Sequence, residues 1–284
     1  MGPTKMLAFA GAATALIATT AANAADFPAA PPPQMVRAPV AETTGWYLRG
    51  DVGVGNQQFK SFDFQQTAGG AWPATWRIDQ KDIKDTFFFA AGIGYAWNNW
   101  LRFDVTGEYR ADVKFKAVGS YFNGTDRAFD IYDGDHSAAV FLANAYIDLG
   151  TWWCLTPFVG AGIGAAYHMT AAVSDIGINT NGLGASAFGY ANADQNKWSL
   201  AWAAHAGVAY TVTNAFKVEL GYRYLNMGTA QTAEILCGAA GCGAGGGPRA
   251  YYNLKSIDSH DFKLGMRWML QPEPVYQPPL MRRG

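Results

Sequence analysis

Three sets of residues have types and spacings that could do chemistry. Ser259, His260 and Asp261 stand in succession, and His136 precedes Ser137. A histidine with a hydroxyl and an orienting acid is the equipment of a hydrolase. Cys237 and Cys242 lie in CGAAGCGAGGG. The intervening glycines allow a small disulfide ring in an oxidising compartment. This spacing, without further ligands nearby, is too loose for a zinc site. The glycine run also lacks the Lys-Ser/Thr of a phosphate loop, so neither metal nor cofactor is expected. The third set is ionic. Arg49, Asp51, Arg102, Asp104, Glu108, Arg110, Asp148, Lys217, Glu219, Arg223, Asp261, Lys263 and Arg267 recur inside otherwise apolar runs.

The elements that position these groups are β-strands. In LRFDVTGEYR (101–110), Leu101, Phe103, Val105 and Tyr109 alternate with Arg102, Asp104, Glu108 and Arg110. Period two gives one greasy face and one charged face. Similar strands are predicted over 45–55, 86–97, 136–150, 156–168, 197–212, 215–224 and 260–270. Neighbours along a strand point to opposite faces, so neither His–Ser pair can meet. A lipid-modifying enzyme is therefore the weakest reading. His205 falls on the inner face, as an interior hydrogen-bonding group. Arg49 and Asp51 of an RGD tripeptide also point inward, out of a receptor's reach.

The connections alternate. Short ones fall at 98–99, 150–155 and 213–214, and long ones at 56–84, 111–135, 169–196 and 225–257. Short turns at one rim and long loops at the other are the pattern of a transmembrane barrel. An even strand number puts both ends of the barrel at the short-turn rim. Strand three can continue through DVKFKAV (112–118) as a projecting stalk. Cys154, near the short turns, is expected to be an unpaired, partly buried thiol.

Three observations turn the greasy face toward lipid. Aromatics including Trp46, Trp97, Trp100, Trp198, Tyr222, Phe262 and Trp268 sit near the strand ends, as girdles do at the two bilayer interfaces. Glycines on the opposite face make room for long side chains from facing strands. The charges on that face nearly cancel, which a buried interior requires. The expected fold is all-β, an eight-stranded antiparallel up-and-down transmembrane β-barrel with a charge-plugged interior. The expected role is structural, supporting envelope integrity and surface contacts through long exposed loops. The alternative is a narrow porin passing small solutes.

Residues 1–24 read as a signal peptide, with Lys5, an apolar run at 6–22 and small residues before a cut after Ala24. Residues 25–44 read as a Pro-rich periplasmic leader, 45–270 as the barrel and 271–284 as a Pro-rich periplasmic tail. Lys5 is the only charge removed, which leaves 20 basic residues against 22 acidic ones. That balance argues against nucleic acid as a partner. Charged residues make up only 15% of the chain, well below the usual quarter. No later apolar run is long enough for a spanning helix.

GWYLRGDVGVG (45–55) after a Pro-rich leader, the strand FVGAGIG (158–164) and the closing HDFKLGMRWML (260–270) carry a resemblance. The chain resembles the small outer-membrane barrels of alpha-proteobacteria, described as porin-family or surface-antigen proteins and related to opacity proteins and the OmpA-type barrel. The resemblance covers residues 45–270. It implies a Gram-negative outer membrane, contact with its lipid and lipopolysaccharide, and insertion by the outer-membrane assembly machinery. That machinery reads a terminal aromatic strand, whereas here QPEPVYQPPLMRRG follows Leu270. The tail is either a disordered extension or, with the leader, a contact for peptidoglycan or a periplasmic protein through Arg282 and Arg283.

Overall fold

The computed structural model describes residues 44–68, 74–122, 124–179, 185–191, 193–237 and 249–270. The signal peptide, nearly all of the leader and the tail lie outside them. The described residues form twelve strands: β1 (Gly45–Ala68), β2 (Arg77–Ile83), β3 (Thr86–Ala96), β4 (Leu101–Phe122), β5 (Arg127–Asp148), β6 (Leu155–Asn179), β7 (Ala185–Ala191), β8 (Gln195–Thr211), β9 (Phe216–Asn226), β10 (Ala230–Gln231), β11 (Ile235–Cys237) and β12 (Arg249–Met269). Eight of them, β1, β3, β4, β5, β6, β8, β9 and β12, pair antiparallel in a ring that β1 and β12 close.

The expectation of long loops is corrected. Much of 56–84, 111–135, 169–196 and 225–257 is strand that prolongs the barrel wall. The alternation persists through these stretches, but its sense reverses. Near the short turns the outer wall is apolar, with Phe89, Ile163, Leu200 and Leu220 at least 60% exposed, and the inside is charged. Farther out, Phe59, Phe62, Phe115, Tyr132, Tyr252, Leu254 and Ile257 are buried inside. There the outer face carries cross-strand ion pairs, Lys114–Asp135 at 2.7 Å and Lys116–Asp133 at 3.1 Å.

In β4 and β6 a bulge makes the reversal, whereas β5 keeps its even positions inward throughout. Arg110 pairs with Ala138 but Val113 pairs with His136, so β4 gains one residue there. Inward positions change from even (Arg102 to Arg110) to odd (Phe115, Ala117). In β6 one extra residue lies around Ala172, whose φ is +50°. One inserted residue moves every later side chain to the other face.

The outer wall also carries a seam. Among the described residues, β1 beyond Gly55 pairs only with β12, and β2 pairs only with β4. The free edges of β1 and β2 therefore face each other. The Lys81 ammonium donates to the Lys60 carbonyl across the gap, and Asn56 Nδ2 donates to Asp85 Oδ1 at its foot, at 2.8 Å.

Interior glycines do make room for long side chains, as Gly55 of β1 does for the Arg110 guanidinium of β4, and five of them also seat an aromatic ring from the adjoining strand. Tyr47 pairs with Gly94, Phe88 with Gly53, Phe115 with Gly134, Tyr146 with Gly160 and Phe158 with Gly207. In each pair a Cβ on the glycine would lie 2.3–2.6 Å from the partner's ring. The aromatic ring thus lies flat over bare backbone. Replacing Gly160 by Val should push the Tyr146 ring aside and lower stability by about 1–3 kcal/mol, measured by urea unfolding in detergent micelles. Unchanged stability would show that this close seating is incidental.

Candidate functional site: an ionic core inside the barrel

All thirteen predicted charges lie on the interior face. Lys217 and Asp148 are half-buried and the other eleven are buried. The innermost cluster is a closed quartet. Arg110 grips Asp261 through two contacts, at 2.9 and 3.1 Å, and reaches Glu108 at 2.8 Å. Arg223 completes the cycle, with Nη2 2.6 Å from Asp261 and 2.8 Å from Glu108. Glu108 and Arg110 stand on β4, Arg223 on β9 and Asp261 on β12. The quartet therefore ties one wall of the ring to the opposite one. Both guanidinium groups also lie 5.0 Å from the centre of the Phe88 ring.

Toward the short turns a second set repeats the theme. Arg49 binds Asp51 at 2.9 Å and Asp104 at 2.6 Å, and donates to the Tyr146 hydroxyl at 3.1 Å. Asn144 donates to Asp104 at 2.8 Å, and His205 Nε2 meets Asn144 Oδ1 at 3.2 Å. Lys263 is the outlying member, 3.9 Å from Asp51. Nearest the mouth, Arg102 pairs with Asp148 at 3.1 Å and lies over the Tyr146 and Phe158 rings, at 4.2 and 4.7 Å. Glu219 meets Arg267 at 3.1 Å, Arg102 at 3.5 Å and Arg49 at 3.6 Å. Every one of these charges but the half-buried Lys217 thus has a counter-charge or an aromatic face, which offsets the cost of its removal from water.

Sequence reasoning missed Tyr47, Phe88 and Ser259 as members of this core. Tyr47 donates to Asp104 at 3.1 Å, and Arg110 donates to Ser259 at 2.7 Å. Strict alternation was the available signal, because Phe88 stands between the outward Phe87 and Phe89.

The histidine sets are split as alternation requires. Ser259 and Asp261 bond each other inside the barrel. His260 is instead bonded to Tyr222 Oη at 2.7 Å on the outside. His136 contacts His168 at 3.0 Å, and His168 contacts the Met227 carbonyl at 2.8 Å. Trp46, Trp97, Trp100, Trp198, Tyr222, Phe262 and Trp268 are all exposed on the outer wall. Cys154 is free and exposed, not partly buried, because it lies in the sharp 150–155 turn at φ +68°. The Cys237–Cys242 pairing falls outside the described residues.

Two carboxyls stand apart from the ionic core, high in the extension. Burial pushes Asp130 up to about 6. Burial and then the Asp130 charge push Asp175 up to about 8. Tyr132 donates to Asp130 at 3.4 Å, which only partly opposes the rise.

Residues 11–269 match the family described as outer membrane protein beta-barrel domain. The chain belongs to that family. An uncharacterised protein of Brucella abortus is 33% identical over 291 residues, covering 89% of this chain and 94% of its own. A Rickettsia prowazekii protein whose name marks it as a candidate adhesin is 26% identical, covering 78% of this chain and 86% of its own. Among solved structures, the outer membrane protein OprG of Pseudomonas aeruginosa superposes with a TM-score of 0.46 at 12% identity, covering 80% of this chain and 97% of that one. The exposed apolar wall accordingly faces the outer-membrane bilayer.

Two outcomes follow from this geometry. Glu108→Ala leaves Arg223 and Arg110 sharing one carboxylate and should lower stability by about 3–5 kcal/mol. Urea unfolding in lipid vesicles measures this, and a loss below about 1 kcal/mol would mean the quartet is dispensable. Asp130 and Asp175 hold protons in the folded state at pH values where the unfolded chain, with carboxyls near about 4, has released them. Stability of the extension should therefore fall as pH rises from about 4 through about 8. Hydrogen exchange in the outer halves of β5 and β6 should show this, and Asp175→Asn should flatten the dependence.

Proposed function

We propose that this protein is a structural outer-membrane barrel, closed by its own ions, that holds a stiff contact surface beyond the bilayer. The observation carrying this reading is the Glu108–Arg110–Arg223–Asp261 quartet, which crosses the lumen and joins opposite walls. An eight-stranded ring has an interior just wide enough for side chains. Five large ionic groups of the mouthward clusters, Arg49, Arg102, Glu219, Lys263 and Arg267, and the aromatic cluster above the quartet occupy the rest of it. In this reading the short-turn rim, and with it both termini, faces the periplasm. The Pro-rich ends are free to meet peptidoglycan or a periplasmic protein.

The extended rim faces outward, where its exposed Lys–Asp pairs and polar tips suit contacts with lipopolysaccharide and neighbouring surfaces. The adhesin-like name of the rickettsial relative supports the same role. Insertion by the outer-membrane assembly machinery goes with family membership. Planar-bilayer recording tests the closure. The purified protein should stay silent at all voltages, and Arg223→Ala should leak. Discrete, reproducible conductance from the unaltered protein would replace this reading with a narrow porin.

A further inference from the structure

The ionic core does not balance at its periplasmic end. Among its thirteen charges, seven are cations and six are anions. The quartet is neutral within itself, and so is the set of Arg49 and Lys263 with Asp51 and Asp104. The remainder is Arg102, Lys217 and Arg267 against Asp148 and Glu219. Glu219 is already divided among three guanidinium groups. Lys217 holds no ion pair or hydrogen bond through its ammonium among the described residues.

The register sharpens the imbalance. Arg267 stands directly opposite Lys217 on one side and Arg49 on the other. Like charges facing each other across a strand pair are unfavourable unless an anion lies between them. Arg267 is 96% buried by side chain, yet its Nε has no hydrogen-bond acceptor among the described residues, nor has Arg102 Nη1, while the Nη2 atoms of both reach only the shared Glu219 Oε1, at 3.1 and 3.5 Å. Such orphaned buried donors are costly.

Lys217 and Arg267 border a cavity of about 210 Å³ at the short-turn rim. Lys217 and Arg267 line it together with Asn98, Thr151, Thr156 and Asn214. Asp148 lines it too, its carboxylate held by Arg102 at 3.1 Å, so the two cations face one anion that is already paired. Its volume suits a small ion with a few waters, at roughly 30 Å³ per water, and excludes a macromolecule.

We propose that this vestibule binds a free small oxyanion, of the phosphate or dicarboxylate type. Lys217 supplies the unspent charge, Arg267 supplies N–H donors from the floor, and the hydroxyl and amide side chains complete the shell. A multi-oxygen anion fits better than chloride, because the donors diverge from several strands and need several acceptors.

Cys154 gives a built-in reporter, since its exposed thiol lines the same vestibule. The full-length protein in detergent micelles is alkylated with neutral iodoacetamide, and modification of Cys154 is followed by peptide mass spectrometry. Inorganic phosphate is the probe, with chloride at matched ionic strength as the reference. Phosphate should slow modification saturably. Lys217→Gln should weaken the apparent affinity about tenfold, the loss expected for one charge-assisted contact. Phosphate should also raise the urea midpoint of the unaltered protein, by linkage, which keeps the test open if the variant fails to fold. Equal protection by chloride and phosphate, an unmoved urea midpoint, or undiminished affinity in Lys217→Gln would overturn the assignment.

Discussion

Everything in this molecule follows from one electrostatic constraint: a charge inside a wall that faces lipid must find its partner inside that wall. The interior has too little water to solvate eleven buried ionic side chains, so their stability depends on geometry. Glu108, Arg110, Arg223 and Asp261 meet that demand by closing a cycle in which every neighbour is of opposite sign. The cycle joins β4 to β9 and β12, so the solution to the charge problem is also the cross-brace of the cylinder. Removing one member is then worse than losing a contact, since the residue left behind becomes an unneutralised ion.

The second organising feature is the change of sense along the same strands. Within the bilayer the apolar side chains face out, and beyond it they face in. In β5 composition alone makes the change, since its even positions stay inward from Tyr132 to Tyr146, whereas β4 and β6 keep their apolar positions in phase and must slip. The extra residue near 111–112 in β4 and that around Ala172 in β6 supply the half-step. They lie next to the level of Arg110 and His136, where the ionic core gives way to His136 and His168 and then to Phe115 and Tyr132. Bulge, histidine pair and solvent change therefore coincide at one height.

Much of the barrel was legible in the sequence, for a physical reason. Alternation in 101–110 and 260–270 is imposed by two different solvents on two faces, and nothing else in a short segment writes that pattern. The family match and the ring of eight strands agree with it. The extension was harder to read. The alternation of 112–118 was legible, and β4 runs through it to Phe122, but a bulge breaks the period at 111–112, so the phase of the extension can be read only if it is allowed to slip once. The partners of each ion were not legible at all. That Arg223 meets Glu108, 115 residues away, depends on how the ring closes and which walls face each other. The aromatic rings seated on Gly94, Gly53, Gly134, Gly160 and Gly207 were not legible for the same reason, since those neighbours are fixed by register and not by position along the chain.

The strand-built extension bears on how this surface engages anything. Backbone already held in a ladder has given up most of its conformational freedom. A ligand docking on the tips of β4 and β5 would thus freeze few additional torsions, and association there would carry a small ordering penalty compared with capture by slack loops. On the proposed reading the outer rim acts as a mast and not as a set of tentacles, and its selectivity would come from fit and not from folding around a partner.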